Sequence, residues 1–358
     1  MKDKRYNIIY NDIISKIRSG EYKVGEKIPN ESELMKKYNV SRTTTTRALK
    51  SLADINLIYR VKKAGTFVNG KLGNNTSLII PVILHNDEND NDIMKGIQSM
   101  SLNNNIFTPF YNSKNNIQKE RDCLLKINQY NFDGLIVFPC QLAHTNLDLY
   151  IEILKRGIPI VCLDRNILGL NTPLVTTDNT KGVIQMITRL VELGHRKIGF
   201  FSINDQMAIT ETERFKGYCA GIIENKLPFD TRYIFNTHDI RKKEINITLK
   251  QQKELFYEYI KQNFQEYLAL EDKPTAICCV NDITLEALKI ASAYNIKLPE
   301  ELMLATFDAP TETTRQQGFL NYVQDNLRLG KTVISLMLKI LNGEPYSMVE
   351  YVDGFLIE

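Results

Sequence analysis

The chain has 358 residues, of which 43% are hydrophobic and 24% are charged. This length suits two or three domains, and the composition is typical of folded proteins that bury sizeable cores. No apolar stretch approaches the length of a membrane-spanning helix, and the N-terminal residues MKDKRYN lack the apolar core of a secretory signal, so we expect a cytoplasmic protein.

The cysteines indicate a reducing compartment. They stand at residues 123, 140, 162, 219, 278 and 279, with no CxxC spacing and mostly within apolar runs. Buried free thiols are therefore expected, rather than a disulfide framework or a metal site.

The charge is distributed unevenly along the chain. Residues 1–70 contain 15 basic and 7 acidic residues, a net charge of +8, whereas the remainder contains 30 basic and 35 acidic residues. A basic head on a mildly acidic body predicts that the head binds a polyanion such as nucleic acid, and the alternative is a solvated surface with chance asymmetry.

The head has the pattern of three helices followed by a hairpin. Isoleucines at helical spacing predict a first helix over residues 6–18. Asn30, with Glu33 three residues later, predicts a capping box at the start of a second helix, and Ser41 is the expected N-cap of a third. Alternation in LIYRVKKAGTFVNG, residues 57–70, predicts a β-hairpin, so the head is a winged helix-turn-helix.

Four consecutive threonines, Thr43 to Thr46, occupy the first turns of the third helix, whose N-terminal residues reach base edges in this type of domain. Their hydroxyls suit phosphate oxygens and their methyls suit thymine, while arginine neutralises phosphate or binds guanine. The alternative is that Ser41 is only a cap and the threonines only a solvated face. The predicted DNA contacts are Ser41, Arg42, Thr43, Thr44, Thr46 and Arg47 on the helix, and Lys62, Lys63 and Gly65 on the wing.

The segment KIPNESELMKKYNVSRTTTTRALKSLADINLIYRVKKAGTFV resembles the DNA-binding head of the gluconate-repressor (GntR) family, and the resemblance covers residues 5–69. Two positions depart from the family pattern. Thr46 stands where that family often has arginine, and Lys63 stands where it usually has glycine. The operator sequence therefore cannot be inferred from the resemblance.

A polar segment rich in glycine and asparagine, NGKLGNNTS at residues 69–77, follows the head. Such a composition is typical of a linker. We therefore predict a winged helix-turn-helix domain over residues 1–70, a linker over 71–77, and an effector-binding and dimerisation domain over 78–358.

The body alternates predicted strands with predicted helices. The strands are expected at 78–84, 134–139, 158–164, 197–202, 275–280 and 302–307, and the helices at 93–103, 117–130, 147–156, 180–193, 211–225, 249–267 and 282–294. This alternation predicts an α/β fold with doubly wound parallel sheets, in which ligands bind at the carboxyl ends of the strands. Polar residues follow several predicted strands at those ends: His85-Asn86-Asp87, Asp164-Arg165, Asn281-Asp282 and Asp308.

Three separated segments, at residues 161–202, 213–222 and 274–310, resemble the effector domain of the lactose/galactose-repressor (LacI/GalR) family, which is related to periplasmic sugar-binding proteins. The resemblance runs over residues 78–358, and the combination with the head resembles the arabinose-repressor subgroup. It implies two doubly wound lobes of the type I periplasmic-binding-protein kind, joined by three crossovers, with a sugar in the cleft.

Matching motif positions imply a set of effector contacts, whose side chains can donate to and accept from sugar hydroxyls. The matching positions are Asp164, Arg165, Arg214, Asn281 and Asp308. Asp178 is a weaker candidate, and we favour the alternative that it caps the helix that follows it. The alternative for Asn281 is also a helix cap, and for Arg214 and Asp308 it is a surface ion pair. His85 is a further predicted effector contact because it follows the first predicted strand, where the family usually has apolar or aromatic residues and this chain departs from it.

Enzyme and metal-binding motifs are not found in the sequence. There is no GxGxxG, GxxxxGK[ST], GxSxG or HExxH, and the acidic stretch 85–92 lacks the glycine and the final glutamate of a calcium loop. We therefore predict a sugar-responsive DNA-binding transcriptional repressor that needs no cofactor or metal, with L-arabinose as the leading effector. Since one head offers one recognition helix, it should act as a homodimer. The alternatives are a cytosolic sugar-binding module and a sugar-metabolising enzyme.

Overall fold

The computed structural model describes residues 3–18, 21–54, 57–62, 64–69, 77–85, 90–140, 146–203, 209–237, 249–307 and 318–358. The chain divides into two compact units. Unit 1 comprises residues 1–175 and 326–350, and unit 2 comprises residues 176–325 and 351–358. The chain passes from one unit to the other three times, in agreement with the three crossovers that the resemblance implies.

The described helices are α1 (Asp3–Arg18), α2 (Glu31–Tyr38), α3 (Arg42–Asp54), α4 (Asp90–Asn103), α5 (Ile117–Ile127), α6 (Leu147–Lys155), α7 (Asn179–Glu192), α8 (Ile209–Glu224), α9 (Leu249–Ala269), α10 (Asn281–Ala293) and α11 (Asn326–Leu341). The described strands are β1 (Ile58–Val61), β2 (Gly65–Val68), β3 (Leu78–Ile79), β4 (Val82–Leu84), β5 (Ile106–Phe107), β6 (Phe110–Asn112), β7 (Leu135–Val137), β8 (Ile160–Leu163), β9 (Leu174–Thr177), β10 (Ile198–Ile203), β11 (Ile234–Thr237), β12 (Ala276–Val280), β13 (Met303–Phe307), β14 (Leu320–Val323), β15 (Val349–Val352) and β16 (Phe355–Ile357).

The head forms its own hydrophobic core, whose buried members all lie between Ile9 and Val68. The predicted capping box is confirmed: the Glu33 N–H donates to Asn30 Oδ1 at 3.0 Å, and the Asn30 N–H donates to Glu33 Oε2 at 2.7 Å. Asn39 ends α2 in the left-handed conformation with φ 51°, which turns the chain toward α3. Strands β1 and β2 pair antiparallel as the predicted hairpin.

Unit 1 contains a sheet with strand order β15-β9-β8-β7-β4-β6 and a short β3-β5 pair. The pairs β4-β6, β4-β7, β7-β8 and β8-β9 are all parallel. The strand predicted over 78–84 is split in two, because Pro81 has no N–H to contribute to a continuous ladder. The chain goes from β4 first to β6 on one side and then to β7 on the other. The carboxyl end of β4 is therefore the point where a doubly wound sheet binds ligands.

Unit 2 contains a sheet with strand order β11-β10-β12-β13-β14-β16. Its pairs are parallel except for β14-β16, which is antiparallel. The buried faces of α7, α8 and α9 pack with these strands in one core that includes Ile187, Tyr218 and Phe264. Both units therefore confirm the predicted α/β class with parallel sheets. Among the described residues, no helix combines the length and the apolar character needed to cross a membrane.

Candidate DNA-binding and effector-binding sites

Ser41 caps the recognition helix α3. The Thr44 N–H donates to Ser41 Oγ at 3.3 Å, and the hydroxyl oxygens of Thr43 and Thr44 both lie 2.9 Å from that atom. Thr45 is 0% exposed and donates its hydroxyl to the Ser41 carbonyl, so it belongs to the core. Thr43 is exposed and Thr44 and Thr46 are half-buried, which leaves these three hydroxyls within reach of solvent.

The arginines of α3 are held on the head surface. Arg42 is 80% exposed, and its Nε lies 3.6 Å from Glu31 Oε2. The guanidinium of Arg47 lies 5.1 Å from the ring centroid of Tyr6 on α1, a cation–π contact. Both predicted DNA contacts therefore present charge on the surface that carries the N-terminal half of α3.

The wing turns between β1 and β2, where Val61 pairs with Gly65 and Lys62 is exposed. Lys63, a predicted DNA contact, lies outside the described residues. Gly65 has φ 128°, a conformation that an L side chain rarely adopts, and a Cβ there would lie 2.5 Å from Lys27 Cε. The backbone conformation of the turn is thus enough to explain why glycine stands at position 65. The contact of Gly65 with DNA stays a prediction.

Unit 1 brings two of the predicted effector residues, His85 and Arg165, to one aromatic ring, and a third, Asp164, is paired with Arg165. The His85 ring, just after β4, stacks on the Phe138 ring, just after β7, with centroids 4.2 Å apart. The Arg165 guanidinium, just after β8, lies 4.7 Å from the same ring centroid. Asp164 has φ 63° and its Oδ2 lies 3.4 Å from Arg165 Nε.

Unit 2 buries Arg214 instead of placing it in the surface ion pair considered as the alternative. The side chain is on α8 and the residue is 9% exposed. Its Nε donates to Asn179 Oδ1 at 3.0 Å, and one terminal nitrogen donates to Glu211 Oε1 at 2.9 Å. The guanidinium lies 4.2 Å from the ring centroid of Phe307, the last residue of β13. Arg214 is therefore fixed at the carboxyl end of a central strand.

Three polar residues around Arg214 were missed from the sequence. Asn179, 1% exposed, donates from Nδ2 to the Thr177 carbonyl at 3.0 Å and to Glu213 Oε2 at 3.2 Å. Glu211 and Glu213 both precede Arg214 in the segment ETERF, and that acidic spacing was the available signal. These residues orient the guanidinium and give the site two carboxylates.

The favoured capping role of Asp178 is confirmed, because its Oδ1 accepts the Lys181 N–H at 2.9 Å at the start of α7. Asn281 is the first residue of α10, immediately after β12, but its side chain lies outside the described residues. Asp308 follows Phe307 and also lies outside them. Residues 86–89 of the acidic stretch do too, and the part of the chain that is described contains no group of three or more candidate metal ligands.

All six cysteines are free, and four of them are buried, as expected for free thiols without a disulfide or metal-binding role. Burial raises the pKa of the Cys162 thiol to about 11. Burial, followed by the negative charge of Glu120, raises the pKa of Cys140 to about 12. Both thiols are therefore protonated at neutral pH, which is the unreactive form.

Residues 5–68 match the family described as bacterial regulatory proteins, gntR family. Residues 187–352 match the periplasmic binding protein-like domain. This chain carries a gntR-family head on a periplasmic binding protein-like body. The head's helix-turn-helix and wing, and the body's parallel sheets, are the architectures that these two matches require, so the chain is built as a DNA-binding transcriptional regulator.

Two relatives align with nearly the whole chain. The arabinose metabolism transcriptional repressor of Halalkalibacterium halodurans is 28% identical over 356 residues, covering 96% of this chain and 90% of that protein. The protein of the same name from Geobacillus stearothermophilus is 25% identical, covering 90% and 88%. These relatives are regulators, which confirms the prediction that the chain is not an enzyme.

Solved structures with the fold of the body include regulators. The transcription regulator CcpA of Lactococcus lactis has a TM-score of 0.61 at 19% identity, covering 79% of this chain and 98% of that one. A regulatory protein of the LacI family from Chloroflexus aggregans has a TM-score of 0.61 at 21% identity, covering 78% and 96%. At these identities the likeness shows the fold alone.

Proposed function

We propose that this protein is a sugar-responsive transcriptional repressor, which releases its operator DNA when a sugar binds to the body. One combination of features supports the proposal most strongly. The chain has a gntR-type head, and in both units of the chain an arginine lies against an aromatic ring at the end of a strand. The binding of the sugar in the cleft of the effector domain, which the LacI/GalR resemblance implies, is part of this proposal. A cytoplasmic location follows from the DNA-binding role.

The chemistry of each set of residues suits a sugar. Sugars combine flat apolar ring faces with many hydroxyls, so they need aromatic surfaces beside rigid donors and acceptors. Unit 1 offers Phe138 with His85 and Arg165 against it, and unit 2 offers Phe307 with Arg214 against it. Asp164 supplies carboxylate acceptors in unit 1, and Glu211 does so in unit 2. Asn281 and Asp308 are proposed as additional contacts because they follow β12 and β13.

The charges favour a neutral sugar over a phosphorylated one. Arg165 is paired with Asp164, and Arg214 with Glu211, while Glu213 adds a further carboxylate close to Asn179. A phosphate group would have to compete with these carboxylates for the two guanidinium groups. L-Arabinose is therefore our leading effector, supported by the names of the two relatives.

The proposed assembly is a homodimer, because two recognition helices related by two-fold symmetry can read two operator half-sites. A single head would contact one half-site only and would bind correspondingly more weakly.

A titration of sugar into a preformed protein–operator complex tests the proposal. The operator can be obtained as a duplex that the wild-type protein selects from a random-sequence pool, and release can be followed by fluorescence anisotropy. L-Arabinose, other pentoses, hexoses and their phosphates should be compared at equal concentration. We expect release by a neutral sugar, with an accompanying rise in thermal stability of about 2.7 kcal/mol at 100 times its Kd. If no monosaccharide or sugar phosphate changes DNA affinity, the body is not a sugar sensor.

A further inference from the structure

Glu31 connects the recognition helix to the wing. It is the first residue of α2, and its carboxylate contacts two arginines on two other elements. Oε1 accepts a hydrogen bond from a terminal nitrogen of Arg60 on β1 at 3.0 Å, and Oε2 lies 3.6 Å from Arg42 Nε on α3. One acidic side chain therefore places two guanidinium groups side by side on the head.

The group formed by Arg42, Glu31 and Arg60 keeps a net positive charge, and several of its N–H donors are not used in contacts with Glu31. Each guanidinium has five N–H donors, and a contact with one carboxylate oxygen uses one or two of them. Within the described part of the chain, neither Arg42 nor Arg60 is placed against any other acidic side chain. Arg60 retains 48% exposure of its side chain and Arg42 retains 80%. The remaining donors are therefore available to an anionic partner beside the start of α3.

A carboxylate in a DNA-binding surface repels phosphate, so its presence needs a compensating role. Long arginine side chains lose conformational freedom when they bind, and an arginine that is already held loses less. A purely structural role is also open to Glu31, because a negative charge at a helix N-terminus stabilises that helix. The two roles differ in what they do to DNA discrimination.

We propose that Arg60 is a further DNA-contacting residue, which binds backbone phosphate, and that Glu31 is a positioning residue that holds Arg42 and Arg60 for their contacts. The proposal rests on the DNA-binding function proposed above. It extends the interface from α3 and the wing turn to strand β1.

The first experiment measures operator affinity and affinity for unrelated duplex DNA from low to high salt. For Arg60→Ala we expect affinity for both duplexes to fall by a similar factor, with the slope of log K against log[salt] reduced by about 0.9. Arg60→Lys should restore the slope because it restores the charge. The matched control is Lys37→Ala, which removes one positive charge of the head that does not contact Glu31, since Lys37 is paired with Asp12 on α1, and it should leave the slope unchanged.

The second experiment compares Glu31→Gln with wild type on the same two duplexes. Loss of the carboxylate should strengthen binding to unrelated DNA and loosen Arg42, so the operator-to-unrelated affinity ratio should fall about fivefold or more. A helix-stabilising role alone would lower the thermal midpoint and leave that ratio unchanged, and this outcome overturns the positioning role. An unchanged salt slope for Arg60→Ala overturns the DNA contact. If wild-type protein shows no salt-dependent DNA binding, the proposed function itself has failed.

Discussion

Replacing Arg214 with alanine should destabilise unit 2 and remove the response to sugar together. The substitution takes the guanidinium away from the Glu211 carboxylate, whose side chain is only 14% exposed, and from Asn179 Oδ1. Truncating one partner of a buried pair costs about 3–5 kcal/mol, and the remaining exposure of Glu211 places the expected cost near 3 kcal/mol. For a unit of this size that corresponds to a fall of roughly 6–12 °C in its unfolding midpoint.

The double variant Arg214→Met with Glu211→Gln separates stability from sugar binding. It removes both charges and keeps most of the side-chain volume, so it should regain a large part of the lost stability. It should still fail to respond to sugar, and it should behave as a super-repressor with operator affinity close to wild type. Arg232→Ala is the control, because that arginine is 62% exposed in its pair with Asp230 and its removal should leave the unfolding transition nearly unchanged.

The assays are urea unfolding followed by circular dichroism and sugar titration of the preformed operator complex. A cost below about 1 kcal/mol for Arg214→Ala would show that the pair with Glu211 is not a buried structural interaction. If sugar releases the double variant from DNA at the wild-type concentration, then Arg214 is not the sugar anchor.

Four further predictions concern the head and the assembly. Arg42→Ala should weaken operator binding by about 1–3 kcal/mol in an anisotropy titration, and an unchanged affinity would remove Arg42 from the interface. Lys62→Ala should weaken all DNA sequences about equally and flatten the salt slope by about 0.9, whereas a loss confined to the operator would contradict a phosphate contact. A fragment of residues 77–358 should dimerise while residues 1–70 stay monomeric by light scattering, and a monomeric body at micromolar concentration would count against it. Asn30→Ala should cost about 1 kcal/mol in thermal unfolding by removing the α2 cap, and no loss would mean that the cap is dispensable.

Elements with strong local signals were predictable from the sequence. The periodicity of apolar residues predicted the central strands β7, β8, β10, β12 and β13 to within two residues at each end. The capping box at Asn30 was equally clear, because a cap depends on residues only three positions apart. The prediction that grouped the Thr45 hydroxyl with those suited to phosphate was wrong, because Thr45 is buried on the helix face that it shares with Ala48, Leu49 and Leu52.

The short strands β5, β6, β9, β11 and β14 to β16, and the helix α11, were not predicted. Several of these strands have only two to four residues, and they form because a neighbouring strand presents free N–H and C=O groups. Such pairing is decided by tertiary context, which no local pattern reports.

The surroundings of the candidate site depended on the tertiary structure in the same way. Arg214 was predicted from a local motif, but its partners come from three separate elements: Glu211 on α8, Asn179 on α7 and Phe307 on β13. In unit 1, His85 and Arg165 meet at Phe138, a residue that the sequence did not single out. The sequence determines which side chains can donate, accept or stack. Only the packing of parallel strands, which gathers distant carboxyl ends at one edge, decides which of them meet.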